Sequence, residues 1–445
     1  MRRVLIISPH FPPVNAPDCQ RVRMSLPYYR QFGWEPVVLA VDPQHRADWR
    51  DDSLLESLPR DVAVHHCGAF RRELTRLIGI NNLGIRCAPQ LNRAAFDRLA
   101  RERFDLVFFS TTQYLVTPLG RLWKRRFGVP YVVDLQDPWR SDYYERPGAP
   151  NPPGGWKYQF ARFTAWLFEE RTLRDAAGLM SVSPHYLRDL RARYQWSQLP
   201  PHAVIPFGAP QADFEFVGAH PQAGAALPPL PPGVFNLVAT GGLGPPFSHA
   251  VRVLFSGLRR LRDTQPELAA RVRLHFVGTS YASPEHATKF AQPIAEAYGV
   301  GDLVAELPAR VGYMDSLRFM RAADGLVLLG TDDPSYSPSK LYPYYLAARP
   351  TLALAHADSL LERLVEHLRS ARLVRLLQPG REMQPAQEVA AYLAAAAAGR
   401  PAELHSPRCD DWFARNLTAA ALTRRQCALF DAALAAHSHD VPTNS

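Results

Sequence analysis

Cysteine is scarce in this chain. The five present (Cys19, Cys67, Cys87, Cys409 and Cys427) are odd in number and scattered, with no C-x-x-C pair. That excludes a disulfide framework and a cysteine-held zinc site, and it makes a reducing cytoplasm the expected compartment. No stretch reaches the ~18 uninterrupted apolar residues that a membrane-crossing helix needs. The opening MRRVLIISPHFPPV carries two arginines, but its apolar run is only VLII before Ser8 and Pro9. Such a run is too short for a signal-peptide core and reads as a first buried strand. Neither G-x-G-x-x-G nor a P-loop is present, and no internal repeat has solenoid spacing.

What is present is basic, and unevenly so. The 445 residues carry a net charge of +9, with 29 lysines and arginines against 22 acids up to residue 215 and 22 against 20 beyond. An anionic partner would explain the basic first half, as would an arginine-rich genome composition. Nucleic acid is not the expected partner, because no aromatic-interleaved basic strand or helix-turn-helix pattern accompanies the charge.

At this length two cores are expected. Short apolar runs alternate with amphipathic stretches, the pattern of a parallel sheet with crossover helices. The first series of strands is VLIIS (4–8), PVVLAV (36–41), VAVHH (62–66), LVFFS (106–110), YVVDL (131–135), GLMSVS (178–183) and HAVIPF (202–207). Helices are expected at 21–32 and 156–176. Residues 216–234 are rich in Pro, Ala and Gly, without period or charge, and read as a linker. A second series follows: FNLVATG (235–241), VRLHFVG (272–278), LVAELP (303–308), GLVLLG (325–330) and PTLALA (350–355). Helices are expected at 250–264 and, capped by Asp315, at 315–323.

The expected fold is therefore α/β, with two doubly wound Rossmann-like domains facing a cleft. Residues 1–215 form the first domain and 235–408 the second. A final helix over 409–436 precedes a frayed tail at 437–445. Open parallel sheets bind ligands beyond the carboxyl ends of their strands, so residues there are the candidates.

In the second half, GGLGPPF follows a strand, and Gly241 and Gly242 would let backbone amides approach a phosphate. A tight turn needing positive φ accounts for these glycines as well. The strand GLVLLG runs into TDDPSYSPSK, which gathers Asp332, Asp333, Ser339 and Lys340. With Pro338 as the first helical residue and Ser337 as cap, Lys340 would oppose the helix dipole unless an anion, most simply a diphosphate, sits there. A solvated surface lysine is the alternative. In the first half, His10, Asn15, Asp18 and Arg21 lie on the loop that leads from the first strand into the first helix. YVVDLQDPW ends in Asp134, Gln136, Asp137 and Trp139; Asp137 could act on a substrate hydroxyl, whereas Asp134, inside the strand, reads as structural.

These pieces together resemble the retaining GT-B glycosyltransferases of family 4, over nearly the full length. The resemblance is carried by FPPVNAPDCQRVRMSLPYYRQFGWEPVVLAVDP, PYVVDLQDPW, SVSPHYLRDL, IPFGA, TGGLGPPF, HFVGTSY and, most specifically, SKLYPYYLAARP. It implies an acceptor-binding first domain, a nucleotide-sugar-binding second domain and a last helix that crosses back to the first. Catalytic roles fall on Asp137 and Lys340. Donor contacts fall on Gly241, Gly242, Gly278, Tyr313, Asp332, Asp333, Ser339 and Lys340, and acceptor contacts on His10, Asn15, Arg21 and Trp139. The co-substrate is a nucleotide-diphosphate sugar, with no metal or other cofactor required. The acceptor is a saccharide or lipid-linked saccharide, as in surface polysaccharide synthesis.

The chain departs from that family in one helix. The two glutamates, eight positions apart, that the resemblance implies are Ser335 and Pro343 here. Pro343 means that the helix begins late or bends. A catalytically silent relative that binds sugar, nucleotide or a partner is the alternative. Finally, FRRELTRLIGINNLGIR (70–86) is expected as a basic amphipathic helix able to touch anionic lipid at the inner face of the cytoplasmic membrane, or equally as an ordinary surface helix.

Overall fold

The architecture is that of a computed structural model. It describes all residues except 46–49, 78, 141–154, 222–226, 281, 283, 333–335, 337, 378–382, 401–403, 405–407 and 441–445. The chain divides into two compact units, residues 1–208 with 419–445, and residues 209–418.

The first unit holds seven strands: β1 (Arg2–Ile7), β2 (Trp34–Val41), β3 (Ala63–Cys67), β4 (Leu106–Ser110), β5 (Tyr131–Leu135), β6 (Gly178–Ser181) and β7 (His202–Val204). All pair in parallel, in the order β3-β2-β1-β4-β5-β6-β7. Both sheet faces are covered. Leu5, Ile7, Val107, Phe109 and Val133 enter one apolar layer, while Val4, Ile6, Leu106, Phe108 and Val132 enter the other. A parallel sheet buried on both sides requires such unbroken apolar runs.

The second unit repeats the plan with β8 (Phe235–Thr240), β9 (Val272–Val277), β10 (Val304–Leu307), β11 (Gly325–Leu329), β12 (Thr351–His356) and β13 (Arg372–Leu376). Their order is β10-β9-β8-β11-β12-β13, again all parallel. In both sheets the order reverses beside the first strand, between β1 and β4 and between β8 and β11. Those are the points where doubly wound sheets open a crevice at their carboxyl edge.

Several boundaries differ from the sequence expectation for local reasons. The helix expected at 21–32 is Gln20–Ser25, followed by Pro27 and a single 3₁₀ turn, Tyr29–Phe32, that ends at Gly33 with φ +82°. Asp315 is not a cap: the helix is Tyr313–Ala322, and Asp315 in its first turn pairs with Arg318 at 2.8 Å. The basic helix expected over 70–86 is two helices, Arg72–Leu77 and Leu83–Arg101, separated by Gly79 at φ +77°. Asn82 caps the second by accepting from the Ile85 amide at 3.1 Å. The division falls after Gly208, and helix Gln211–Ala219 occupies the start of the expected linker within the second unit.

The expected final helix is likewise two. Asp410–Asn416 stays with the second unit, while Ala419–Asp440 returns to the first. Phe430 at the middle of that returning helix is fully buried. Its ring meets Tyr29, Trp34 and Phe108 at centroid separations of 6.2, 5.3 and 5.0 Å. Beside it, Tyr29 donates to Gln426 at 2.9 Å, and Gln426 donates to Ser25 at 2.8 Å. Phe430→Ala should therefore destabilise the first unit by about 3–5 kcal/mol, read as an earlier first transition in urea. A midpoint equal to that of the wild type would show that the returning helix is not part of this core.

Candidate active site

Each unit gathers polar side chains at its own reversal point, and the two gatherings differ in kind. In the second unit the loops after β8 and β11 enclose a cavity of about 350 Å³. Gly241, Gly242, Gly244, Ser339, Lys340 and Tyr344 line it. Gly241 has φ +105°, and a β-carbon there would stand 2.6 Å from Lys340 Cε. The glycine thus serves both the turn and the lysine, which lies across its bare Cα. The Gly241 and Leu243 amides donate to Val277 and Thr279 carbonyls on the neighbouring loop, both at 2.9 Å. Gly242 and Gly244, between and beside these pinned residues, also line the cavity.

Lys340 is partly buried and makes no hydrogen bond or ion pair with any described residue. Burial, and secondly the nearby Arg310 guanidinium, push its ammonium down to about 8. A cation held this way is uncompensated until an anion arrives. Tyr344 backs the site: its hydroxyl accepts from the Thr240 amide at 2.8 Å, fixing the end of β8 against the helix Leu341–Ala347.

That helix begins at Leu341, not at Pro338, so Lys340 precedes it and Pro343 is its third residue. No helical donor is lost there, because the first four amides of a helix have no internal partner. The helix begins late. Ser335, Ser337 and Asp333 lie outside the described residues. Asp332 is exposed, with its amide donating to Pro246 at 3.2 Å. Gly278 turns the chain after β9 at φ +71° and donates to Leu307. Tyr313 hydrogen-bonds Asp213 at 3.1 Å. None of Asp332, Gly278 and Tyr313 lines the cavity, so of the expected donor set the structure brings together Gly241, Gly242, Ser339 and Lys340.

In the first unit the charges are already paired. His10 Nδ1 meets Asp18 at 2.9 Å, and Thr111 Oγ1 and the Thr112 amide donate to the same carboxylate at 3.1 and 3.2 Å. Burial alone would raise the Asp18 carboxyl; His10 and these donors outweigh it and hold it below the usual range. Arg21, expected to touch an acceptor, is buried instead. Its guanidinium pairs with Asp134 at 2.7 Å and donates to the Ile205 and Pro206 carbonyls. Asp134 is pushed up by burial, in part offset by Arg21, Ser110 and Gln136. Asn15 donates to Asp51 at 3.3 Å.

Two further groups lie beside this network, Trp139 partly buried against the core and Asp137 exposed. Trp139 stacks on Tyr114, with centroids 5.3 Å apart. Asp137 has its backbone pinned, its amide donating to the Tyr114 hydroxyl at 3.1 Å. The Asp137 carboxylate is open to solvent at the loop, yet surrounding chain leaves it under-hydrated. With Asp18 as like-charged neighbour it is pushed up to about 6.

Residues 20–208 match the model of the glycosyl transferase 4-like domain. Solved structures extend the likeness over both units. HepE from Anabaena, in complex with UDP and glucose, aligns at 14% identity and TM-score 0.60, covering 97% of this chain and 100% of its own. The trehalose 6-phosphate synthase of Burkholderia multivorans gives 14% and 0.59, with 98% of each chain covered. Sucrose-phosphate synthase from Thermosynechococcus elongatus gives 17% and 0.52, covering 98% and 97%. The fold is thus that of GT-B structures, and residues 20–208 are similar to a glycosyl transferase 4-like domain. No curated protein sequence matches it.

Sequence reasoning missed three groups of this GT-B chain. Arg310, three residues beyond β10, sets the electrostatics of Lys340 from a different loop, and only the sheet order makes the two neighbours. Tyr344 reads as an apolar helix position. Thr111 and Thr112 sit directly after LVFFS, a signal that was legible.

Gly241→Ala should cost about 1–3 kcal/mol, because it forces a side chain into positive φ and displaces the Lys340 methylenes. A thermal melt that lost less than the glycine at Gly244 costs on the same change would refute the double role assigned to Gly241.

Proposed function

We propose that this chain is a glycosyltransferase that moves a sugar from a nucleotide-diphosphate sugar to a saccharide or lipid-linked saccharide hydroxyl. The observation that carries the reading is the uncompensated Lys340 ammonium in the cavity beyond β8 and β11. Uridine diphosphate is the first nucleotide to test, because the Anabaena neighbour was solved with UDP.

In this reading the bond from the anomeric carbon to the diphosphate oxygen breaks, and the electron pair leaves with the diphosphate. Lys340, the glycine-rich loop of Gly241 and Gly242, and the field of Arg310 are assigned to hold that growing charge, with no metal called for in this reading. The acceptor oxygen forms the new bond and loses its proton. Asp137 is the group assigned to take it, ionised at neutral pH and still basic because its carboxyl is raised. Retention of configuration, which the family resemblance implies, would require the acceptor oxygen to enter on the same face of the sugar from which the diphosphate departs.

The second reading, a silent binder, is favoured by the loss of both expected carboxylates at Ser335 and Pro343. It predicts nucleotide binding with neither transfer nor slow donor hydrolysis.

Lys340→Ala should weaken UDP affinity tenfold or more in calorimetry; unchanged affinity rejects the site. The pH dependence fixes the group. Protonated lysine binds the anion, so wild-type affinity should fall by about an order of magnitude from pH 7 to pH 9 as the ammonium is lost. Lys340→Arg should bind with a flat profile over that range, since guanidinium stays charged. A wild-type profile equally flat would mean that another cation holds the diphosphate.

A further inference from the structure

Helix Trp156–Arg174 of the first unit is inside out. Its inner face carries Thr164, Ala165, Glu169, Thr172 and Leu173, all nearly or fully buried. Glu169 is 1% exposed and is held by Arg193 at 3.1 Å, by the Tyr194 hydroxyl at 2.5 Å and by the Arg140 amide. The Thr172 carbonyl accepts from the Tyr131 hydroxyl at 2.6 Å. The helix is thus anchored largely by polar contacts, and its aromatic side chains point away from the protein.

Trp156, Phe160, Phe163 and Trp166 are 62, 45, 55 and 65% exposed, and Leu167 lies on the same face. At about 150–250 Å² per aromatic side chain, those four expose on the order of 450 Å². That equals the largest apolar patch of a typical soluble monomer. The patch does not end there. Trp156 packs close over Gly79, whose missing side chain makes room for the indole. This joins the helix to Arg72–Leu77, where Phe70, Leu74 and Leu77 are 51, 64 and 83% exposed. Around these apolar groups stand the exposed arginines Arg71, Arg72, Arg76, Arg162 and Arg171. Among the described residues, the acids nearby are Glu73, and Glu170, which pairs with Arg174 at 2.6 Å.

We propose that the faces of helices Trp156–Arg174 and Arg72–Leu77 together form a docking surface for an anionic lipid bilayer. Tryptophan and phenylalanine rings enter the headgroup boundary, and the arginines meet the lipid phosphates. Charge and side-chain type select this occupant: indole rings and cation-rich flanks suit the membrane–water interface. Among the described residues no helix is long and apolar enough to cross a membrane, so the contact is peripheral. The inference adds a partner to the proposed transferase and stands independently of the Lys340 cavity.

The test is flotation of the full chain with vesicles of phosphatidylglycerol and phosphatidylcholine, and with phosphatidylcholine alone. Wild-type protein should float with the anionic vesicles and remain below with the neutral ones, with blue-shifted tryptophan fluorescence. Phe163→Ser combined with Trp166→Ser should cut the floating fraction at least about fivefold. Its urea midpoint should stay that of the wild type, since both side chains are exposed. Arg71→Glu with Arg76→Glu should abolish the preference for anionic vesicles. Wild-type protein that never floats, equal flotation with both vesicle types, or a double variant that floats undiminished would each overturn the proposal. So would a wild-type dimer in light scattering that the serine variant renders monomeric, because the face would then belong to a second copy. Flotation needs no nucleotide, so its failure leaves diphosphate binding standing, and the reverse holds equally.

Discussion

Every strand pairing in both sheets is parallel, and that single constraint decides where chemistry can reside. Parallel strands deliver all their carboxyl ends to one edge, so every loop that leaves a strand opens on the same side. Where the winding reverses, the crossover helices go to opposite faces, and the two neighbouring loops are left without a lid of secondary structure. Gly241 and Lys340 come from two such loops, after β8 and β11, a hundred residues apart in sequence. His10 and Asp18 meet Thr111 and Thr112 at the equivalent place in the first unit, after β1 and β4. The site residues are neighbours because of strand order, not because of sequence spacing.

What separates the two places is electrical closure. Arg21 and Asp134 form a buried pair with Ser110 and Gln136 as supporting donors, and His10 with Asp18 is closed by two threonines. Breaking either pair would leave a buried charge exposed to low dielectric, a loss of several kcal/mol. Those networks hold the β1 and β5 loops in shape, and a ligand could use them only by dismantling them. Lys340 has no such partner among the described residues and has already lost part of its hydration. An arriving diphosphate would recover that desolvation, whereas at Arg21 it would compete with an existing carboxylate. Of the cationic residues expected to meet substrate, only Lys340 is placed to gain from doing so.

The central strands were legible because a sheet covered on both faces leaves no choice of residue: LVFFS and YVVDL match their observed spans residue for residue. The edge strand β13 was not. Its RLVRL alternates, and Arg375 is neutralised by Glu362 at 2.5 Å from a preceding helix, a partnership no linear pattern reveals. Helix ends failed where a proline or glycine was read through, as at Pro27 and Gly79. At the site, the lysine and the glycine turn were visible as local punctuation. Arg310 was invisible, because its bearing on Lys340 exists only after β10, β9, β8 and β11 are laid side by side. The aromatic face of Trp156–Arg174 was hidden for a different reason: the sequence pattern marks a helix there but not which side turns inward, and the buried partners of Glu169 decide that.

The absence of both glutamates bears on catalysis through the distinction between binding and rate. In the family this chain resembles, the second of those glutamates holds the donor ribose; such a carboxylate holds ground state and transition state alike, and so lowers the concentration of donor needed without raising turnover. An ammonium beside the bridging oxygen acts differently, since the negative charge there grows as the glycosidic bond lengthens. Losing Glu at the position of Pro343 removes the first kind of interaction and leaves the second. Pro343 itself sits where a helix has no amide bond to lose, so the substitution leaves the Lys340 turn intact. On the transferase reading proposed above, a missing ribose contact would therefore weaken donor binding and leave the contribution of Lys340 to turnover in place.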